Sequence, residues 1–100
     1  MELMKGLKAL ANPTRLRILQ LLKDPPVFTG TGAAAGRKGV TGKELLKHLR
    51  CRQPSLTEQM QILEDVGLVE TRKAGRWVLY TRDEERIRQL KQTIIDELLP

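Results

Sequence analysis

Between Gln53 and Tyr80 the hydrophobic period of the chain changes, and that change restricts the fold more than any other feature. Over Pro54–Val66 the apolar residues Leu56, Met60 and Leu63 fall at i, i+4 and i+7, the spacing that lines one face of a helix. Gly67 stands where a helix ends most easily, in the left-handed region closed to most side chains. Beyond it, Leu68–Arg72 and Arg76–Thr81 are rich in β-formers and read as two strands. Lys73-Ala74-Gly75 joins them, with a glycine near the tip to supply positive φ. A short helix therefore runs directly into a basic hairpin.

The segment before this one supplies a partner helix. Thr41-Gly42-Lys43-Glu44 is a capping box, in which Thr41 caps the helix and Glu44 reaches back to the cap. The predicted helix Gly42–Arg50 buries Leu45, Leu46 and Leu49, and a turn at Arg50–Gln53 leads to the next. Residues 42–66 thus read as a helix-turn-helix and 68–81 as a wing. The expected class is mainly α with a small β-hairpin, a winged helix-turn-helix in one domain of 100 residues.

Three further segments complete the chain. Glu2–Ala11 places Leu3, Leu7 and Leu10 on one helical face, and Asn12-Pro13 restarts the helix as cap and first residue. Pro13–Leu22 is expected to bury Leu16, Ile18, Leu19 and Leu22 and to turn Arg15 and Arg17 outward, ending at Asp24-Pro25-Pro26. Residues 27–40 are small and Gly-rich, and read as a flexible loop or hairpin insertion. Within them Gly30 to Ala35 matches a loose G-x-G-x-x-A pattern, but Asp24-Pro25-Pro26 replaces the buried strand and Gly36-Arg37-Lys38-Gly39 the helix that a dinucleotide turn requires. No cofactor is expected. Residues 83–99 carry Ile87, Leu90, Ile94 and Leu98 on one stripe, widened by Ile95 and Leu99. That stripe reads as a dimerisation helix sharing its surface with Leu3 and Leu7, against the alternative that it folds onto its own core.

Charge points to the partner. Lys and Arg number 18 against 12 Asp and Glu, a formal charge of +6 that suits a polyanion without specifying its sequence. On the predicted helix, Gln53, Ser55, Thr57, Glu58, Gln59 and Gln61 lie off the apolar stripe, and their amide, hydroxyl and carboxylate groups are of the kinds that read base edges. Lys43, Arg50 and Arg52 flank that helix, and Arg72, Lys73 and Arg76 cluster at the wing, where they suit phosphate contacts. Gln59→Ala is expected to blur discrimination between duplex sequences, and Arg76→Ala to weaken all of them alike. Trp77 and Tyr80 alternate to opposite faces and read as packing residues, not a stacking platform for single strands. The rival reading is a winged-helix module that binds protein, which calls for an exposed apolar patch on the recognition helix that this sequence does not show.

Three stretches in order carry a family resemblance. Leu7 to Leu19, with Asn12-Pro13-Thr14-Arg15 at its centre, Gln53-Pro54-Ser55-Leu56-Thr57 with Leu63 to Val69, and Arg76 to Tyr80 resemble the opening, recognition-helix and wing signatures of the ArsR/SmtB winged helix-turn-helix repressors. The resemblance spans nearly the full length. It implies a homodimer that binds a palindromic operator in double-stranded DNA and leaves it when an inducer binds. It also implies where sensing residues would lie, and there the chain departs from the family. Metal-sensing relatives use thiolates on the first helix of the helix-turn-helix or Asp, His and Glu on the terminal helix. This chain has His48 but no Cys pair on the former, and no His on the latter. Asp83, Glu84, Asp96 and Glu97 alone make a poor zinc site, so no metal is expected. Arg52 replaces the small capping residue usual before Gln53, and the 27–40 insertion exceeds that of the shortest members.

Cys51, the single cysteine, excludes an intrachain disulfide and reads as a small core residue, with a thiol-based redox switch as the alternative. His48 and Cys51 lack an orienting acid, and no catalytic residues are expected. Charges at Glu2, Lys5 and Lys8 exclude a signal peptide's apolar core, and no uncharged run is long enough to span a bilayer, so a cytoplasmic location is expected.

Overall fold

The computed structural model describes residues 2–24 and 39–99. Their order is α1 (Leu3–Leu10), α2 (Pro13–Lys23), β1 (Val40–Thr41), α3 (Gly42–Leu46), α4 (Gln53–Asp65), β2 (Val69–Ala74), β3 (Trp77–Arg82) and α5 (Glu84–Leu98). Apart from Gly39 and Val40, the 27–40 insertion lies outside the described residues, as does the G-x-G-x-x-A stretch within it.

Local signals in the sequence set most of the boundaries. Asn12 caps α2 by accepting from the Arg15 backbone N–H at 3.0 Å, and Pro13 occupies the first helical position. At α3 the capping box is complete: Glu44 N–H donates to Thr41 Oγ1 at 3.1 Å while Thr41 N–H donates to Glu44 Oε1 at 3.0 Å. The end of α4 is a Schellman motif, with Gly67 N–H on the Glu64 carbonyl at 2.9 Å and Leu68 N–H on the Leu63 carbonyl at 3.0 Å. Gly67 has φ +77, and an added Cβ would sit 3.2 Å from the Arg86 guanidinium carbon. Asp83 caps α5 on the Arg86 N–H at 3.0 Å, and its own N–H donates to the Leu68 carbonyl, fixing where the terminal helix leaves the sheet.

The hairpin pairs Ala74 with Trp77, leaving Gly75 and Arg76 as a two-residue turn. Positive φ at Gly75 followed by negative φ at Arg76 is the pattern of a type II′ turn, whose twist suits the flanking strands. The wing lies one residue further along than 68–81, and it is not a bare hairpin. β1 adds to the other edge of β3, pairing Val40 with Tyr80 and Thr41 with Leu79, so the antiparallel sheet runs β1-β3-β2. This short strand seats the start of α3 on the sheet.

One core joins every helix to the sheet. Ala9 of α1, Ile18 and Leu21 of α2, Leu45 of α3, Leu56, Met60 and Leu63 of α4, Val69 of β2 and Leu90 of α5 are buried in it. Each fully buried Leu or Ile contributes about 1.5–3 kcal/mol of transfer free energy.

Three sequence expectations are corrected here. In α2, Leu16 is 45 % exposed while Leu21 is buried, and Arg15 turns inward. The buried residues of that helix are Ile18, Leu19 and Leu21; Arg15 lies one turn before Ile18 and Leu19 and so borders the inward face, while Leu16 does not. α3 stops at Leu46 instead of Arg50, because the N–H groups of Lys47 and His48 bond only three residues back and tighten the chain into a turn. Leu90, assigned to dimerisation, is 3 % exposed and packs on Gly6 of its own α1, where an added Cβ would lie 2.5 Å from Leu90 Cδ1.

Candidate nucleic-acid interface

The buried stripe of α4 determines what its other side presents. With Leu56, Met60 and Leu63 inward, the opposite face carries Pro54, Thr57, Glu58, Gln61 and Asp65, all exposed. Arg52 leaves the start of α4 without a side-chain cap, and Pro54, having no N–H, leaves one fewer backbone donor unsatisfied there.

Short hydrogen bonds order this face. Gln53 Nε2 donates to Thr57 Oγ1 at 3.1 Å, and that hydroxyl donates to the Gln53 carbonyl at 3.0 Å. One turn further, Gln61 Nε2 donates to Asp65 Oδ1 at 2.8 Å, a bond that does not use the acceptor of the Gln61 amide. These bonds lie in solvent and exchange readily for contacts of similar strength. Thr71 on β2 donates its hydroxyl to the Glu64 carboxylate, tying the back of α4 to the wing.

Two of the expected readers stand elsewhere. Ser55 is half-buried at the edge of the helix. Gln59 is half-buried too, and its Oε1 accepts from Arg15 Nη1 at 2.6 Å. It faces α2, so the expectation that Gln59 lies free on the reading face is corrected. Its position in the helix explains this: Gln59 lies one turn from Leu56 and Leu63, beside the core stripe.

Cations bracket the α4 face. Lys43, Lys47, Arg50 and Arg52 are exposed on α3 and the turn leading into α4. Gly42 backs onto α4, where an added Cβ would meet Leu56 at 3.4 Å and Gln53 Oε1 at 3.7 Å, so Lys43 stands beside the start of the helix. Arg72, Lys73 and Arg76 are exposed on the wing, and the Arg76 guanidinium carbon lies 5.1 Å from the centre of the Trp77 ring. Exposed carboxylates on α3, α4, β2 and β3 are confined to Glu58, Asp65 and Glu70. Tyr80 on β3 is half-buried; burial raises the pKa of its hydroxyl above the ordinary 10.0, and the Glu64 carboxylate adds to the rise.

Chemistry other than recognition finds little here. Among the described residues no group of three or more His, Cys, Asp or Glu side chains converges on a metal-sized site, and no helix is long and apolar enough to cross a membrane. Cys51 is a half-buried free thiol packed at the margin of the core.

The comparisons with known proteins agree with this geometry. The sequence profile of a helix-turn-helix domain matches residues 10–72. An uncharacterized helix-turn-helix transcriptional regulator of Bacillus subtilis, YbzH, is 32 % identical over 100 residues, covering 98 % of this chain and all of that protein. The arsenical resistance operon repressor of Staphylococcus xylosus is 34 % identical over 93 residues, 93 % of this chain and 77 % of its own length. Among solved structures, a possible transcriptional regulator for arsenical resistance superposes with a TM-score of 0.75 at 25 % identity, covering 96 % of this chain and 86 % of the other. The transcriptional repressor BigR of Xylella fastidiosa superposes with a TM-score of 0.64 at 25 % identity, over 92 % of this chain and 78 % of the other.

Proposed function

The chain belongs to the ArsR family of helix-turn-helix transcriptional regulators, and from that premise we propose that it is a DNA-binding repressor whose α4 reads an operator in the major groove. The observation that carries the reading is the outward face of α4, where Thr57, Glu58 and Gln61 stand exposed between the cations of the α3–α4 turn and those of the wing. A helix of 13 residues fits the groove, and Gln, Thr and Glu side chains carry the donors and acceptors that distinguish base edges. In this reading Gln53, Thr57, Glu58 and Gln61 meet bases, and Lys43, Arg50 and Arg52 meet phosphates. Arg72, Lys73 and Arg76 track the flanking backbone.

The operator is palindromic and the protein a cytoplasmic homodimer, on the proposal that a second copy covers the apolar surface left by α1, α2 and α5. Leu98 is 70 % exposed, and Met4, Leu16 and Leu99 are exposed as well. Ile87, Ile94 and Leu16 line an apolar groove of about 420 Å³ between α2 and α5. Uncovered apolar side chains on this scale favour a partner of matching surface, and a two-fold dimer matches two-fold half-sites about one helical turn apart.

The test is selection of genomic fragments by the purified protein, then titration of the best fragment and of random duplex at two salt concentrations. The proposal expects enrichment of one palindromic site bound at least about a thousandfold tighter than random duplex. Uniform, salt-sensitive binding without a preferred site contradicts it.

A further inference from the structure

Arg15 joins three helices through one guanidinium group. Rooted on α2, it donates from Nε to the Ala9 carbonyl at 2.6 Å, from Nη2 to the Lys8 carbonyl at 3.0 Å, and from Nη1 to Gln59 Oε1 at 2.6 Å. Lys8 and Ala9 lie in the last turn of α1, where a cation is favoured by the helix dipole; the Lys8 carbonyl also accepts from the Ala11 N–H at 3.3 Å, while the residue four beyond Ala9 is Pro13, which has no N–H to offer. Gln59 lies mid-way along α4, next to the buried Met60. The guanidinium is planar and holds its donors in a fixed fork, so these bonds constrain direction as well as distance. On its other side α1 is keyed to α5 through Gly6 and Leu90.

We propose that Arg15 is a positioning residue for DNA recognition: it sets the pitch of α4 against α1, so that a displacement of α1 and α5 is transmitted to the reading helix through Gln59. The inference rests on the reading that the outward face of α4 contacts the operator. A contact chain alone does not establish coupling, but a thermodynamic cycle does.

The experiment measures the affinity of the full chain for its selected operator and for random duplex, with melting temperature recorded for each variant. Gln59→Ala removes the α4 end of the link and leaves the α1 end in place; Arg15→Ala removes both. Each is expected to weaken operator binding about tenfold, as loss of a hydrogen bond to a charged group does, with binding to random duplex unchanged. The double variant is expected to lose about tenfold as well, not about a hundredfold, because one link has been cut twice. Gln59→Glu keeps an acceptor toward the guanidinium and retains operator affinity when the added charge is screened by salt.

Losses that multiply in the double variant, or a Gln59→Glu variant as impaired as Gln59→Ala, overturn the proposal. Gln61→Ala and Thr57→Ala separate the two levels of the account. If both leave sequence preference intact, the assignment of α4 as the reading helix fails. If they change it while the Arg15–Gln59 losses multiply, the relay alone fails.

Discussion

Gly6 offers a substitution whose sign depends on its neighbour. In an ordinary helix, Gly→Ala stabilises by about 1 kcal/mol, because alanine has less backbone freedom to lose. At Gly6 the new Cβ would lie 2.5 Å from Leu90 Cδ1, 3.2 Å from Cδ2 and 3.4 Å from Cγ. Carbon atoms prefer about 3.5–4.0 Å, so the whole isobutyl group must retreat, not one methyl. Leu90 is 3 % exposed and packed in the core, and overpacking of this kind costs about 1–3 kcal/mol. The crowding wins, and Gly6→Ala is expected to destabilise the protein by about 1 kcal/mol net. Leu90→Ala alone is expected to cost about 2–4 kcal/mol. In that background the Gly6→Ala methyl enters vacated space, and the same substitution becomes stabilising by about 1 kcal/mol. The assay is urea unfolding of the four proteins at one fixed protomer concentration, read as shifts in midpoint at constant slope. A Gly6→Ala variant that stabilises the parent as much as it stabilises Leu90→Ala refutes the reasoning, and with it the seating of α1 on α5.

Two further outcomes are expected. Leu98→Glu places a charge on the exposed end of α5 without touching the buried core; sedimentation should show dissociation to monomers and operator affinity should fall, while an unchanged dimer would move the interface elsewhere. Tyr80 is the single tyrosine, so tyrosinate absorbance follows it directly. Its folded pKa lies above the unfolded 10.0, so the folded state holds the proton longer and its stabilising contribution is complete below pH 10, then is lost as pH rises through the folded value. Urea unfolding across that range should therefore show a steeper fall for the parent than for Tyr80→Phe, and parallel curves would contradict the burial of the hydroxyl.

What was legible in the sequence was whatever local chemistry decides. Asn12-Pro13, the Thr41–Glu44 box and Gly67 each act within a few residues, and each appears in the structure where it was read. The stripe of Leu56, Met60 and Leu63 was legible because three large apolar residues at helical spacing have one way to be buried together. β1 was not, since a strand of two residues has no period of its own and exists only because β3 offers it an edge. Arg15 is not where its charge alone would put it. Its spacing from Ile18 and Leu19 carried the opposite signal, and the acceptors that make burial tolerable come from Lys8, Ala9 and Gln59, the last 44 residues away in sequence. Gln59 is illegible for the same reason, since its partner Arg15 comes beside it only when α2 and α4 pack. Leu90 belongs to the stripe as read, but it faces the chain's own core, where the absent side chain at Gly6 leaves room for it.

The central claim is that the outward face of α4 reads sequence while the wing holds backbone. The direct measurement is binding of the parent, Gln61→Ala and Arg76→Ala to the selected operator and to its single-base-pair variants, each over a range of salt. Gln61→Ala is expected to lose about 1–3 kcal/mol of discrimination at one base-pair position per half-site and to keep the rest. Arg76→Ala is expected to weaken every sequence alike and to lower the salt slope by about one unit per site. A Gln61→Ala protein with its base preferences intact, or an Arg76→Ala protein that changes them, would mean that α4 does not read the sequence or that the wing does.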